Sequence, residues 1–128
     1  MSFSGGLFLG VACGGAVGAM ARFALSTWVY RWWGSAFPVG TLAVNVFGSL
    51  LMGVLTILLV ERLNLGGEWR AVILVGFLGS FTTFSTFSME TYHLLVDGEY
   101  WKAAINMIAS VGLCVGGYAA GVTIARQL

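Results

Sequence analysis

Gly76-Phe77-Leu78-Gly79-Ser80-Phe81-Thr82-Thr83-Phe84-Ser85-Thr86-Phe87-Ser88 is an apolar stretch that sets three phenylalanines three residues apart, with a hydroxyl residue in almost every gap. Residues three apart lie on neighbouring turns of one helical face, so the spacing predicts an aromatic ladder of Phe81, Phe84 and Phe87. A single Ser or Thr in such a helix back-bonds to its own turn. Five hydroxyls in the seven positions 82–88 predict more: a polar track through an otherwise apolar protein. Gly76 and Gly79 beside this cluster place an interruption of the helix within residues 79–83. Unwound backbone at membrane depth persists only when buried in protein or lining a wet cavity, where its freed carbonyls can hold a cation.

The surroundings put this stretch in a membrane. Of 128 residues, 59% are hydrophobic and 9% charged, against about 25% charged in ordinary soluble domains. No soluble core of this size hides so much apolar surface. Charges are absent over about 21 residues from Met1 to Ala21, 29 from Trp32 to Val60, 19 from Ala71 to Met89 and 23 from Ala103 to Ala125. A helix needs about 20 residues to cross the hydrocarbon core. The chain is therefore expected to be an all-α membrane protein. It forms one domain, 1–128, with four transmembrane helices at about 4–30, 39–60, 70–95 and 101–126, the third broken within residues 79–83. Cys13 and Cys114 fall inside apolar runs without a Cys-x-x-Cys spacing, and so read as small packing residues. A net charge of +1 without a basic block gives no sign of nucleic acid. The chain carries no nucleophile–base pair and no metal-ligand cluster in sequence, so no enzyme is expected.

Almost every helix combines a small-residue face with an embedded polar group. Gly10, Gly14 and Gly18 are four apart, the spacing that lets a neighbouring membrane helix approach closely. Ser49 with Gly53, Gly112 with Gly116, and Gly117 with Gly121 repeat that spacing. Arg22 reads either as an arginine snorkelling to the interface or as a cation at the mouth of an anion pathway. Trp28, Tyr30, Trp32 and Trp33 read as an interfacial aromatic belt. Asn45 is an amide carried into the membrane and needs partners, as interhelical glue or as pore lining; the fourth helix carries Asn106 and Ser110. Glu90 reads as a proton or substrate site or as an interfacial acid, and His93 as an interfacial residue.

Four helices bring both termini to one side. Arg62, Arg70 and Arg126 then face Arg22, Arg31 and Lys102 across the bilayer, so cation bias sets no orientation. A chain without preference can insert both ways and pair with itself antiparallel, two copies doing what inverted repeats do within one transporter.

Gly40-Thr41-Leu42-Ala43-Val44-Asn45, Thr82-Thr83-Phe84-Ser85-Thr86-Phe87-Ser88, Gly18-Ala19-Met20-Ala21-Arg22 and Glu90 together resemble the bacterial dual-topology fluoride channels, called Fluc or CrcB. The resemblance covers essentially the whole chain. It implies a multi-pass protein of the bacterial plasma membrane, an antiparallel homodimer in the lipid bilayer with two fluoride pores. Fluoride would leave the cell passively through them, lowering its toxicity. It further implies Phe84 and Phe87 as pore phenylalanines and Asn45 as an amide donor at the pore. Ser85 and Thr86 would belong to the polar track, with Asn106 at the pore-side position of the last helix and Arg22 at a vestibule. The main-chain carbonyls of Gly79 and Thr82, from both subunits, would hold a structural Na+. Many family members have a second glycine where this chain has Ser80.

The chemistry is consistent with that expectation. Fluoride is small and strongly hydrated, so a selective pore must replace its water with hydrogen-bond donors, and the positive edge of a phenyl ring can face an anion. Conduction favours several moderate sites over one tight one. The rivals are a proton-coupled exporter of fluoride or of small multidrug cations, and an assembly subunit that transports nothing. A cation exporter wants a carboxylate deep in the first helix, and that helix has none.

Overall fold

The structure is a computed structural model and describes residues 3–128; residues 1 and 2, the first two of the expected domain, lie outside the described residues. Four spans are long and apolar enough to cross a membrane: Gly5–Trp33, Val39–Arg62, Gly67–Val96 and Tyr100–Gln127. We label the helices α1 (Gly5–Trp33), α2 (Val39–Arg62), α3 (residues 67–81), α4 (Phe84–Val96) and α5 (Tyr100–Gln127); α3 and α4 are the two halves of the third span. No strand occurs among the described residues.

Local chemistry sets the ends. Ser4 caps α1 by accepting the Leu7 amide at 3.1 Å. Gly34, at φ 77°, closes it by donating to the Tyr30 carbonyl at 2.8 Å, a left-handed conformation that an L side chain resists. Pro38 immediately precedes α2, where its missing N–H leaves nothing unpaired. Gly98, at φ 76°, turns the chain from α4 into α5. The end of α2 (Ile57–Arg62) and much of α3 (Ala71–Leu78) are wound more loosely, in the π manner.

The glycine registers do what their spacing predicts, and they define two helix pairs. A Cβ on Gly14 would strike the Val72 carbonyl at 2.5 Å, and one on Gly18 would collide with the Phe77 carbonyl. From the other side, Gly76 faces the Val11 carbonyl at 2.9 Å. Helix α1 thus lies backbone to backbone on α3. In the second pair, Gly53 meets the Tyr118 carbonyl and Gly121 the Leu50 carbonyl, which seats α5 on α2. The two glycine pairs of α5 differ. Gly117 and Gly121 pack within the chain, whereas Gly112 and Gly116 face open space.

Little of each span is enclosed. The fully buried side chains are few and include Val44, Leu78 and Asn106, whereas Phe8, Phe23, Ile108, Val111 and Val115 stand outside. That is the inverse of a soluble protein and the pattern of one whose solvent is lipid.

Candidate functional site: an interrupted helix between two cavities

The interruption falls at Thr82 and Thr83. Thr82 (φ −88°, ψ 158°) and Thr83 (φ −151°, ψ 112°) are extended, while Gly79 (φ −62°, ψ −33°) is still helical. The glycines flanking the hydroxyl cluster are therefore not the breakers. Gly76 is there for close approach, and the two β-branched threonines take the extended backbone they tolerate well. The break also changes the helical phase, so the expected three-rung ladder does not form. Phe81 is 4% exposed, packed against Phe77 and Phe47 with centroids 6.1 Å away in each case. Phe84 is 76% exposed and pairs with Phe87 at 5.2 Å.

Several of the loose backbone groups at the break can be followed. The Thr82 amide closes the last turn of α3 on the Leu78 carbonyl at 3.1 Å, and its hydroxyl donates to the same oxygen at 3.1 Å. In an unbroken helix the Thr83 amide would close on Gly79. It donates instead to Asn45 Oδ1 at 2.7 Å, while Asn45 Nδ2 donates to the Thr83 carbonyl at 3.0 Å. Likewise the Thr86 amide, which would close on Thr82, donates to Thr83 Oγ1 at 3.2 Å, an N-cap for α4. The carbonyls of Gly79 and Thr82 thereby lose their helical donors. They are hard, neutral oxygens of the kind that suits a hard cation. Gly79 is exposed on the surface of the chain.

Asn45 reaches Thr83 because α2 comes close at the next turn. A Cβ on Gly48 would overlap the Thr82 methyl and meet the Phe81 ring at 3.0 Å. Asn45 itself is 9% exposed. It holds both backbone groups of one residue, which makes it interhelical glue and still leaves one amide proton uncommitted.

Hydroxyls gather around this clamp. Thr83 Oγ1 lies 3.2 Å from Ser85 Oγ and donates to Thr86 Oγ1 at 3.0 Å. Ser85 is exposed and Thr86 half-buried. Two cavities flank the break, and Thr83 lines both. The larger, a groove of about 340 Å³, runs between α2 and α5 past Asn45, Ser49, Phe84, Phe87, Ser110 and Cys114. The smaller, of about 230 Å³, lies between α1, α2 and α4, with Arg22, Ser26, Thr41 and Thr86 in its wall. Arg22 belongs to this cavity: its Nε is buried without a hydrogen-bond partner.

Two further networks hold α4 in place. Glu90 accepts from the Tyr30 hydroxyl at 2.7 Å and from Thr41 Oγ1 at 2.5 Å, and the Thr41 amide donates to the Tyr30 oxygen at 3.3 Å. Tyr30 therefore points inward and is not part of the aromatic belt. Asn106 is 1% exposed. It donates to Thr91 Oγ1 at 2.8 Å and accepts from Ser110 at 3.4 Å, so it sits behind the groove wall to which Ser110 contributes. His93 is exposed, beside Glu90, Asp97 and Lys102 in a third, polar cavity.

Sequence reasoning read Tyr30 as interfacial, counted Thr83 only as one hydroxyl of the cluster, and gave Thr41 and Thr91 no role of their own. Thr83 carried a signal, since a Thr just before a helical run is a preferred N-cap. Tyr30, Thr41 and Thr91 carried none, because their partners lie many residues away.

Comparison with known proteins agrees with this architecture. The family described as CrcB-like protein, Camphor Resistance (CrcB), matches residues 9–122. A protein of Methylococcus capsulatus named fluoride-specific ion channel FluC is 51% identical over 118 residues, 92% of this chain; the chain spans 52% of that relative's length. Proteins of the same name from Coxiella burnetii (49% identical; 95% of this chain, 96% of the relative) and Geobacter sulfurreducens (50%; 94% and 97%) match nearly end to end. With its four membrane spans, broken third helix and a family match across almost its full length, the chain belongs to the CrcB-like family.

Proposed function

We propose that this chain is a fluoride-selective channel of the bacterial inner membrane, exporting fluoride passively and so lowering its toxicity in the cytoplasm. The observation that carries this reading is the Phe84–Phe87 pair, set on an open groove at the start of α4 with hydroxyl donors on the same turn. The names of the relatives support it.

In this reading the ring edges of Phe84 and Phe87 face the anion, and donors replace its water. The donors are the Ser85 and Thr86 hydroxyls and the remaining amide proton of Asn45. Ser110 lines the same groove, with Asn106 fixing it from behind. Arg22 supplies a positive charge to the cavity that Thr86 shares, the vestibule of the pathway. The functional unit is an antiparallel homodimer. Three features support that assembly: the open groove, the unpacked Gly112 and Gly116, and the equal division of cations between the two sides.

The carbonyls of Gly79 and Thr82, left without their helical donors, suit a Na+ held between two copies. Such an ion, when bound, supplies a fixed positive charge that favours anions nearby. Proton coupling through Glu90 is the weaker reading, since both its carboxylate oxygens are engaged by Tyr30 and Thr41.

The test is reconstitution in liposomes, following fluoride release with an electrode at neutral pH without a proton gradient. Rapid passive release that Phe84→Ile abolishes, with no chloride release, supports the channel. Release only under an imposed proton gradient refutes it.

A further inference from the structure

We infer that Asn45 is a positioning residue for a cation site. By holding Thr83, its carboxamide keeps the Gly79 carbonyl open. The inference rests on the proposed Na+ at Gly79 and Thr82, but concerns a residue that contributes no ligand to it. A carbonyl at the end of a broken helix stays free only if the amide that would close on it has a better acceptor. For Gly79 that amide is the one on Thr83, and its acceptor is Asn45 Oδ1 at 2.7 Å. The second arm of the clamp, from Asn45 Nδ2 to the Thr83 carbonyl at 3.0 Å, fixes the peptide so that its amide cannot swing back. The clamp is nearly out of water: Asn45 is 9% exposed, so the bonds are not exchanged for solvent.

Thr82 is handled separately. The amide that would close on its carbonyl is taken by Thr83 Oγ1, so the two carbonyls are kept open by different side chains. Without the Asn45 acceptor, the Thr83 amide loses its hydrogen-bond partner, and the acceptor a continuous helix would give it is the Gly79 oxygen. Pairing there extends α3 by a residue and removes that oxygen from the cation. Asn45 thus has two functions, one amide proton toward the groove and the rest of the carboxamide on the helix break.

The two functions separate by substitution. Asn45→Ala removes the acceptor. Asn45→Asp keeps it: a protonated Asp reproduces both arms, and an ionised one still accepts from the Thr83 amide. The experiment is thermal unfolding of the purified full chain in detergent, in fluoride-free buffer. NaCl is titrated against N-methylglucamine chloride at constant ionic strength, since an ion that binds only the folded protein raises its unfolding temperature. We expect a saturable Na+ stabilisation in wild type. Its midpoint moves upward at least tenfold in Asn45→Ala and stays within about threefold of wild type, or falls, in Asn45→Asp. Phe84→Ile, on the groove but not on the break, keeps the wild-type midpoint. A wild-type midpoint in Asn45→Ala overturns the inference and leaves Asn45 as a groove donor alone. If Asn45→Ala does not fold, a tenfold rise in Asn45→Asp overturns it equally. No Na+ response in wild type defeats the sodium reading, and this inference with it.

Discussion

Gly48→Ala tests whether α2 is pressed against the break. The added methyl would overlap the Thr82 Cγ2 and stand 3.0 Å from the Phe81 ring. Both obstacles are side chains, so the site can yield by turning Thr82 or shifting the ring. That puts the cost near the lower part of the overpacking range, about 1–2 kcal/mol. Thr82→Ser deletes the obstructing methyl and keeps the hydroxyl that bonds the Leu78 carbonyl at 3.1 Å. The double variant should therefore recover about 1 kcal/mol relative to the sum of the singles, a coupling measurable by a double-mutant cycle. Gly18→Ala is the contrast. Its methyl runs into the Phe77 carbonyl, which cannot move without carrying α3 along, so a loss of about 3 kcal/mol or more is expected and Thr82→Ser should not relieve it. Unfolding in detergent, followed by circular dichroism, measures the wild type, the three singles and the two doubles. Additivity between Gly48→Ala and Thr82→Ser, or equal losses from the two alanines, would refute the reasoning.

Three other outcomes follow from the same geometry. Thr83→Val keeps the shape of the side chain but removes the cap on the Thr86 amide; stability should fall by about 1 kcal/mol, and fluoride release should fall more steeply, because Thr83 lines both cavities. Tyr30→Phe takes one of two donors from Glu90 and the acceptor from the Thr41 amide, a loss of about 1–2 kcal/mol in the same unfolding assay. At Gly112 and Gly116 an added Cβ meets nothing within 4 Å in its own chain, so replacing both with Leu should hardly change unfolding of the single chain. Chemical cross-linking should nonetheless show fewer paired copies, and undiminished cross-linking would count against an interface on that face of α5.

The four spans were legible because charge is so rare that its spacing marks the ends of every apolar run. The helix contacts were legible in part. Four-residue glycine spacing shows that some helix comes close, and the register of Gly10, Gly14 and Gly18 against α3 bears this out. The same spacing could not tell Gly117 and Gly121, packed on α2, from Gly112 and Gly116, which are not. The break was foreseen in its neighbourhood but attributed to the wrong residues. Glycine is the usual suspect, yet Gly79 is helical, and the chain opens where a distant amide captures Thr83. Nothing local forbids Thr82 and Thr83 from helix. Thr83 is held by Asn45, 38 residues earlier in sequence, and a contact of that kind leaves no periodicity to read. Misplacing Phe81 and Tyr30 follows from the same limit. An unbroken phase puts Phe81 on the ladder, and an aromatic near Trp32 and Trp33 looks interfacial until Glu90 is known to lie beside it.

A break made in this way supplies charge of both signs at one depth. An α-helix ends in unpaired carbonyls with about half a negative charge and begins in unpaired amides with about half a positive one. In an uninterrupted span these cancel everywhere but at the membrane surfaces. Opening the backbone at Thr82 and Thr83 alone creates a carboxyl end on α3 and an amino end on α4, two residues apart. In the proposed function the first would offer the Gly79 and Thr82 oxygens to a cation, and the second would offer the start of α4 and its hydroxyls to an anion. A proline kink would not serve as well, because it frees carbonyls while removing an amide. Side-chain clamps free the carbonyls and still pair the Thr83 amide on Asn45 and the Thr86 amide on Thr83. Opposed helix ends held by Asn45 thus account for why a site for an anion and a site for a cation would lie side by side in a span with no ionised group between Ala71 and Met89.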